Sequence, residues 1–119
     1  MPLPLANLNG KILPLEDVQI SAQDRGFLFG DAVYEVLRLY QGRPWLEHEH
    51  FERLKNSLAA IRIGGVDLDR LQRRMRETIA AGPFTEGMVY IHVTRGTAPR
   101  RHAFPKNVKP LEFLFVQDY

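Results

Sequence analysis

The sequence predicts an α+β domain, a two-layer sandwich in which two helices cover a mainly antiparallel sheet. Three observations support this class. Strand-like segments come first, two segments with helical periodicity follow, and two further strand-like segments come last. Asn9-Gly10 and Gln41-Gly42 each join two neighbouring strand-like segments, and such pairs form the tight turns of antiparallel hairpins because they tolerate positive φ.

The composition indicates one globular domain of 119 residues, 45% hydrophobic and 25% charged. The 16 basic and 14 acidic residues give a net charge of +2, too small to indicate a nucleic-acid partner. The absence of cysteine excludes disulfides and thiolate metal sites. The segment MPLPLANLNG does not resemble a signal peptide, and no apolar window is long enough to cross a membrane. We therefore expect a cytoplasmic protein without a membrane partner.

The strand-like segments differ in the burial that their patterns predict. AVYEVLRLY, residues 32–40, is rich in strand-forming residues. MVYIHVT, residues 88–94, alternates, so its odd-numbered residues are expected to face the core. LEFLFV, residues 111–116, is apolar on both faces, which is typical of an interior strand.

Two helices are predicted between these strands. The first has an apolar stripe at spacings of three and four residues, formed by Phe51, Leu54, Leu58 and Ile61. The second begins after Asp67, a good N-cap. Its apolar face consists of Leu68, Leu71, Met75 and Ile79. We expect its arginines to lie mostly on the solvated face, with Arg73 able to pair with Glu77; they are Arg70, Arg73, Arg74 and Arg76.

The segment VTRGTAPRRHAFP, residues 93–105, raises the main functional question. A strand-like segment runs into a loop that carries Arg100 and His102 and is stiffened by Pro99 and Pro105. A guanidinium can donate two parallel hydrogen bonds to a carboxylate, and a nearby imidazole can donate a third. The residues alone leave two interpretations open: a solvated basic turn, or a clamp for a small anion.

Arg53 and Glu35 are further candidates. Arg53 lies on the flank of the first helix, where it could bind a phosphate or simply pair with Glu49. Glu35 lies on the apolar face of its strand, opposite to the face of Tyr34, so either that face is partly open or Glu35 meets an arginine such as Arg25. An acid–base role for Glu35 is a further alternative. The histidines have no metal-ligand spacing, so we assign no metal.

Three motifs taken together resemble one family. DRGFLFGDAVYEVLRLYQGRPWLEHEHFERL, followed by VYIHVTRGTAPRRHAFP, is similar to the N-terminal domain of the class IV, fold-type IV, pyridoxal-phosphate aminotransferases. The pattern DRGxxFGDxVYEV, then ExHxxRL, then TRGxxPRxH is long and ordered, and the resemblance extends from about Asn7 to Val116. D-amino-acid (D-alanine) transaminases are the most similar members, because the other members generally lack Arg-x-His in the third motif.

The resemblance implies roles for individual positions. Arg53 matches the arginine that binds the phosphate of pyridoxal 5'-phosphate, and Tyr34, Arg100 and His102 match the residues that bind the substrate α-carboxylate. The implied substrates are an amino acid and a 2-oxo acid. In the family, the Arg-x-His loop reaches the active site of the neighbouring subunit, so the resemblance also implies a homodimer.

The family's chemistry depends on a lysine that this chain lacks. That residue forms a Schiff base with the cofactor and lies in the following domain of the family. The four lysines of this chain do not match it: Lys11, Lys55, Lys106 and Lys109. We therefore expect residues 1–119 to be the N-terminal small domain of a longer two-domain enzyme, without a catalytic residue of its own. Alone, this domain should neither transaminate nor hold the cofactor.

Alternative functions stay open at this point. Within the family they are a branched-chain L-amino-acid transaminase and an aminodeoxychorismate lyase. Outside it, the chain could be a non-catalytic interaction domain or a nucleic-acid-binding domain. Acidic residues interleave the arginines, and Tyr90 is the sole aromatic residue on the polar side of its strand, which argues against nucleic acid. The arginines in question are Arg70, Arg73, Arg74, Arg100 and Arg101.

Overall fold

A computed structural model describes residues 3–119 and confirms the predicted α+β class. One layer is a six-stranded sheet in the order β2-β1-β6-β5-β3-β4, with every pair antiparallel. The strands are β1 (Leu5–Leu8), β2 (Lys11–Pro14), β3 (Ala32–Tyr40), β4 (Arg43–Pro44), β5 (Gly87–Thr94) and β6 (Leu111–Asp118). The helices are α1 (Arg25–Phe29), α2 (Glu47–Ala60) and α3 (Leu68–Ala80), with a 3-10 turn at Leu15–Asp17. None of the helices in this part of the chain is long and apolar enough to cross a membrane.

Both predicted hairpin turns are present. Asn9 and Gly10 have φ values of 53° and 99°, and Gln41 and Gly42 have values of 53° and 75°, as a tight hairpin turn requires. The second hairpin is short, because β4 has only 2 residues. The prediction of an interior strand is also confirmed, since β6 lies between β1 and β5.

The core lies between the helices and one face of the sheet. The sheet contributes alternate residues, as the period of two in its strands predicts: Leu37, Leu39, Val89, Ile91, Val93, Leu114 and Val116. The helices contribute Phe51, Leu54 and Leu58 from α2, and Leu71, Met75 and Ile79 from α3. Ile61 and Leu68 are only partly buried, because they lie at the helix ends. The N-cap is confirmed, since the Asp67 carboxylate accepts a bond from the backbone N–H of Arg70.

Two arginines of α3 correct the expectation of a solvated helix face. Arg70 and Arg74 lie 2.8 and 3.0 Å from the two carboxylate oxygens of Glu112 on β6. The Glu112 side chain is only 5% exposed, so it requires charged partners to offset the loss of water. The spacing of the arginines along α3 could not reveal this partner, because Glu112 lies 38 residues after Arg74 and 42 residues after Arg70.

We predict that Glu112→Ala lowers the free energy of unfolding by about 2 kcal/mol, because it removes two charge-assisted bonds between α3 and the sheet. The matched control is Glu77→Ala on the exposed side of α3, which should change stability by less than about 0.5 kcal/mol. Urea unfolding followed by circular dichroism measures both values. Equal effects of the two substitutions would contradict a stabilising role for this ion pair.

Candidate functional site

The site begins with two adjacent residues of β3 that face opposite sides of the sheet. Glu35 faces α2 and is 4% exposed, whereas Tyr34 faces away from the helices and is 62% exposed. This alternation is the ordinary geometry of a strand. One strand therefore supplies a buried carboxylate to one face and an accessible phenol to the other.

Arg53 binds the buried carboxylate of Glu35. Its Nε and Nη2 atoms donate to the two oxygens of Glu35 over 2.8 Å each, which is a bidentate ion pair. Nδ1 of His50, one turn earlier on α2, lies 2.7 Å from the same carboxylate. Arg53 thus pairs with Glu35 rather than with Glu49, and Glu35 meets Arg53 rather than the expected Arg25. Sequence spacing could not rank these partners because they lie on different elements.

The charge state of this pair follows from its surroundings. Burial raises the pKa of Glu35, but the hydrogen bonds and charges of Arg53 and His50 outweigh burial and hold the pKa below 4.5. The hydrogen bond and charge of Glu35 raise the pKa of Arg53, and the phenol of Tyr34 contributes a smaller part. The Arg53 side chain remains 68% exposed, so its guanidinium is open to a ligand.

Arg100 and His102 lie together on the exposed loop after β5. Both contact the ring of Phe29, whose centroid is 5.2 Å from the Arg100 guanidinium carbon and 5.6 Å from the His102 ring centroid. Phe29 is the last residue of the short helix α1. The side chain of Asp24 caps its first turn by accepting bonds from the backbone N–H groups of Gly26 and Phe27.

A buried ion cluster anchors this loop, and sequence reasoning missed it. Asp31 accepts bonds from Nε of Arg25 and Nε of Arg95, over 2.8 and 2.7 Å. Arg25 also donates to the backbone carbonyl of Arg101, between the two candidate residues, over 2.7 Å. Burial by itself raises the pKa of Asp31, but the hydrogen bonds and charges of Arg95 and Arg25 have a larger, opposite effect. The pKa is therefore below its ordinary value, and the carboxylate stays charged. The sequence feature that could have indicated this cluster is the repeated Arg-Gly pair, which occurs at Arg25 in the DRG motif and at Arg95 in the TRG motif.

The candidate residues form two groups within one chain. Tyr34 stacks on Tyr90 on the face of the sheet away from the helices, whereas Arg100 and His102 lie against Phe29. None of the hydrogen bonds, ion pairs or aromatic contacts among residues 3–119 joins Tyr34 to Arg100 or His102. Within the same residues, no cluster of three or more possible metal ligands occurs.

These features define an α+β domain with exposed guanidinium groups on α2 and on the loop after β5. The chain belongs to the class IV aminotransferases, since the family model for amino-transferase class IV matches residues 32–118. This finding confirms the resemblance predicted from the three motifs. The class IV aminotransferases use pyridoxal phosphate.

Individual relatives agree with this membership. A D-alanine aminotransferase of Staphylococcus haemolyticus is 37% identical over 114 residues, which cover 94% of this chain and 40% of that protein. The structure of a 4-amino-4-deoxychorismate lyase from Pseudomonas aeruginosa is 28% identical, with a TM-score of 0.80. The match covers 92% of this chain and 38% of the lyase chain. The structure of a branched-chain aminotransferase from Escherichia coli has a TM-score of 0.89, and the match covers 98% of this chain and 41% of that chain. Because the two sequences are only 18% identical, this match shows the fold alone. The chain thus spans about two fifths of the length of the relatives that it matches.

We predict that acid destabilises the domain partly through Glu35. Because the pKa of Glu35 is lowered in the folded state, the ion pair contributes its full stabilisation above pH 4.5. This stabilisation is lost as the pH falls from 4.5 through the lowered folded value, because the unfolded chain binds more protons than the folded chain in this range. Glu35→Gln should therefore lower stability at pH 7 and flatten the fall of the unfolding free energy below pH 4.5.

The matched control is Glu52→Gln, on the exposed side of the same helix. Urea unfolding at several pH values measures the slope for each variant. A slope for Glu35→Gln that equals those of the unmodified chain and of Glu52→Gln would contradict the assignment of the lowered pKa to this pair.

Proposed function

We propose that this chain is the N-terminal domain of an enzyme that transfers the amino group of D-amino acids to a 2-oxo acid with pyridoxal 5'-phosphate. The observation that carries the proposal is the combination of an accessible, bidentately held Arg53 with an exposed Arg-x-His loop. Similarity to the D-alanine aminotransferase of S. haemolyticus supports the choice of D-amino acids. The remaining parts of the active site would come from the second domain of the enzyme.

Arg53 fits the role of a phosphate ligand. Glu35 occupies its Nε and Nη2 atoms, while Nη1 donates to no group in the described part of the chain. A guanidinium fixed in this way needs little further ordering to bind an anion, so less entropy is lost on binding. When bound, pyridoxal phosphate supplies the electron sink for the reaction, and Arg53 would hold its phosphate in place.

The substrate carboxylate would be bound by Tyr34, Arg100 and His102. A guanidinium donates two parallel bonds to a carboxylate, and the phenol and imidazole can donate two more. Since no hydrogen bond, ion pair or aromatic contact joins Tyr34 to the Arg-x-His loop within the described part of one chain, we propose that the loop of one subunit completes the site of its partner. The proposed enzyme is therefore a homodimer, and neither subunit is active alone.

The carboxylate clamp would also select the hand of the amino acid. For the reaction to proceed, the hydrogen on the substrate Cα would have to face the base that removes it. Fixing the carboxylate on one side decides which enantiomer satisfies this condition. Arg100 and His102 would thus determine stereochemical preference as well as affinity.

Two other activities of the family remain alternatives. The structures of the branched-chain aminotransferase and of the aminodeoxychorismate lyase share this fold, so the fold does not distinguish them. The Arg-x-His sequence favours D-amino acids over both. Comparing turnover of D-alanine, L-leucine and aminodeoxychorismate by the full-length enzyme would decide among the three.

We predict that Arg100→Ala in the full-length enzyme lowers kcat/KM for D-alanine roughly 100-fold, because a bidentate bond to a charged group is lost. The matched control is Arg101→Ala, since its side chain is exposed and only its backbone carbonyl anchors the loop. That control should remain within about twofold of the unmodified enzyme. An unchanged kcat/KM for Arg100→Ala would refute the clamp.

Co-expression tests whether the loop acts across subunits. If it does, a dimer of one Arg53→Ala subunit and one Arg100→Ala subunit has one site with both substitutions and one with neither. A statistical mixture should then recover about a quarter of full activity from two inactive variants. If the loop serves its own subunit, every site carries one substitution and the mixture stays inactive.

We also predict that the 119-residue chain forms no specific bond with the cofactor. After incubation with pyridoxal phosphate and reduction with borohydride, mass spectrometry should find only weak, scattered labelling of the four lysines, because no lysine occupies a buried, activated site. A single stoichiometric adduct together with D-alanine turnover would show that this chain is catalytically complete.

A further inference from the structure

The face of the sheet opposite the helices carries a hydrogen-bonded pair that the proposed function does not use. The Tyr90 hydroxyl lies 2.9 Å from Nδ1 of His92 on the same strand. Their rings meet edge to face, with centroids 5.7 Å apart. Residues two apart on a strand share a face, so both side chains lie on the side of the sheet that carries Tyr34.

Tyr34 is placed directly against this pair. It is opposite His92 in the register of β3 and β5, and its ring stacks on that of Tyr90 with centroids 5.8 Å apart and planes 27° apart. At 62% exposure, Tyr34 has little other packing to fix its ring. The orientation of the Tyr34 phenol therefore depends on the position of Tyr90.

Tyr90 itself is held from two further directions. Its ring packs on Phe115 of β6, with centroids 5.3 Å apart, and its hydroxyl is fixed by His92. Burial raises the pKa of Tyr90, and Tyr34 raises it to a smaller extent. Burial lowers the pKa of His92, and the charge of Asp24 offsets only part of this effect. Both groups are thus neutral near pH 7, and the bond between them is a neutral one.

We infer that Tyr90, fixed by His92, is a positioning residue that orients the Tyr34 phenol for the substrate carboxylate. The inference rests on the proposed function, because it takes Tyr34 as a substrate ligand. Tyr90 and His92 need not touch the substrate. Their role is to reduce the freedom of an exposed ring before binding, so their loss should weaken substrate binding more than turnover.

The substitutions Tyr90→Phe and His92→Leu remove the bond from either side while preserving most of the packing. In the full-length enzyme each should raise KM for D-alanine roughly threefold to tenfold, with kcat within about twofold. The double variant should be no worse than either single one, since one bond is lost in all three. His92→Asn should restore KM, because its side-chain oxygen can accept a bond near the position of Nδ1.

Three results would overturn the inference: an unchanged KM for Tyr90→Phe, effects of the two substitutions that multiply, or a KM for His92→Asn as high as that for His92→Leu. A general loss of stability would not produce the rescue by asparagine, because it would lower the yield of active enzyme and hence kcat. The rescue and the split between KM and kcat therefore distinguish positioning from packing.

Nuclear magnetic resonance of the ¹⁵N-labelled 119-residue chain tests the bond separately from the activity. Tyr90→Phe should shift the Nδ1 resonance of His92 and leave that of the exposed His48 unchanged. No shift at His92 would overturn the inference even if D-alanine is a substrate. A shift at His92 with no D-alanine turnover by the unmodified enzyme would instead refute the proposed function, and with it the role assigned to the pair.

Discussion

The ion pair between Glu35 and Arg53 is the constraint on which the candidate site depends. A carboxylate at 4% exposure is unfavourable unless other groups replace its water, and the guanidinium of Arg53 and the imidazole of His50 do so from α2. The pair consequently fixes the position of α2 over β3. It also fixes the guanidinium of Arg53, because two of its nitrogens are committed to Glu35 and the third is left for a ligand.

The alternation of β3 connects this pair to the rest of the site. Because Glu35 must face the helix layer, Tyr34 must face the other side of the sheet. A shift of one residue in the register would bury the phenol and expose the carboxylate. The cofactor ligand and one substrate ligand that we propose therefore depend on a single strand, whose register is fixed by pairing with β5 along its length.

A second buried carboxylate supports the other half of the proposed site. Asp31 joins Arg25 and Arg95, and Arg25 in turn binds the backbone beside Arg100. The loop is therefore ordered at its base while the side chains of Arg100 and His102 remain exposed. This arrangement suits a loop that binds a ligand outside its own subunit, since the anchoring groups and the binding groups are different residues.

Local patterns in the sequence predicted most of the fold. The period of two predicted which residues of β5 face the core, and the spacings of three and four predicted the buried faces of α2 and α3. Turn chemistry predicted both hairpins, and the cap at Asp67 predicted the start of α3. These features are local because backbone propensity, turn geometry and capping involve residues within about four positions of each other.

The partners of the charged residues were decided only by the tertiary structure. The sequence singled out Arg53 and Glu35 and offered Arg25 as a partner of Glu35, but it could not show that Glu35 pairs with Arg53 or that Arg25 pairs with Asp31. It also placed Arg70 in water, although Arg70 binds Glu112 on a distant strand. An ion pair forms wherever folding brings opposite charges to one buried point, and that point depends on how sheet and helices pack, which spacing along the chain does not encode.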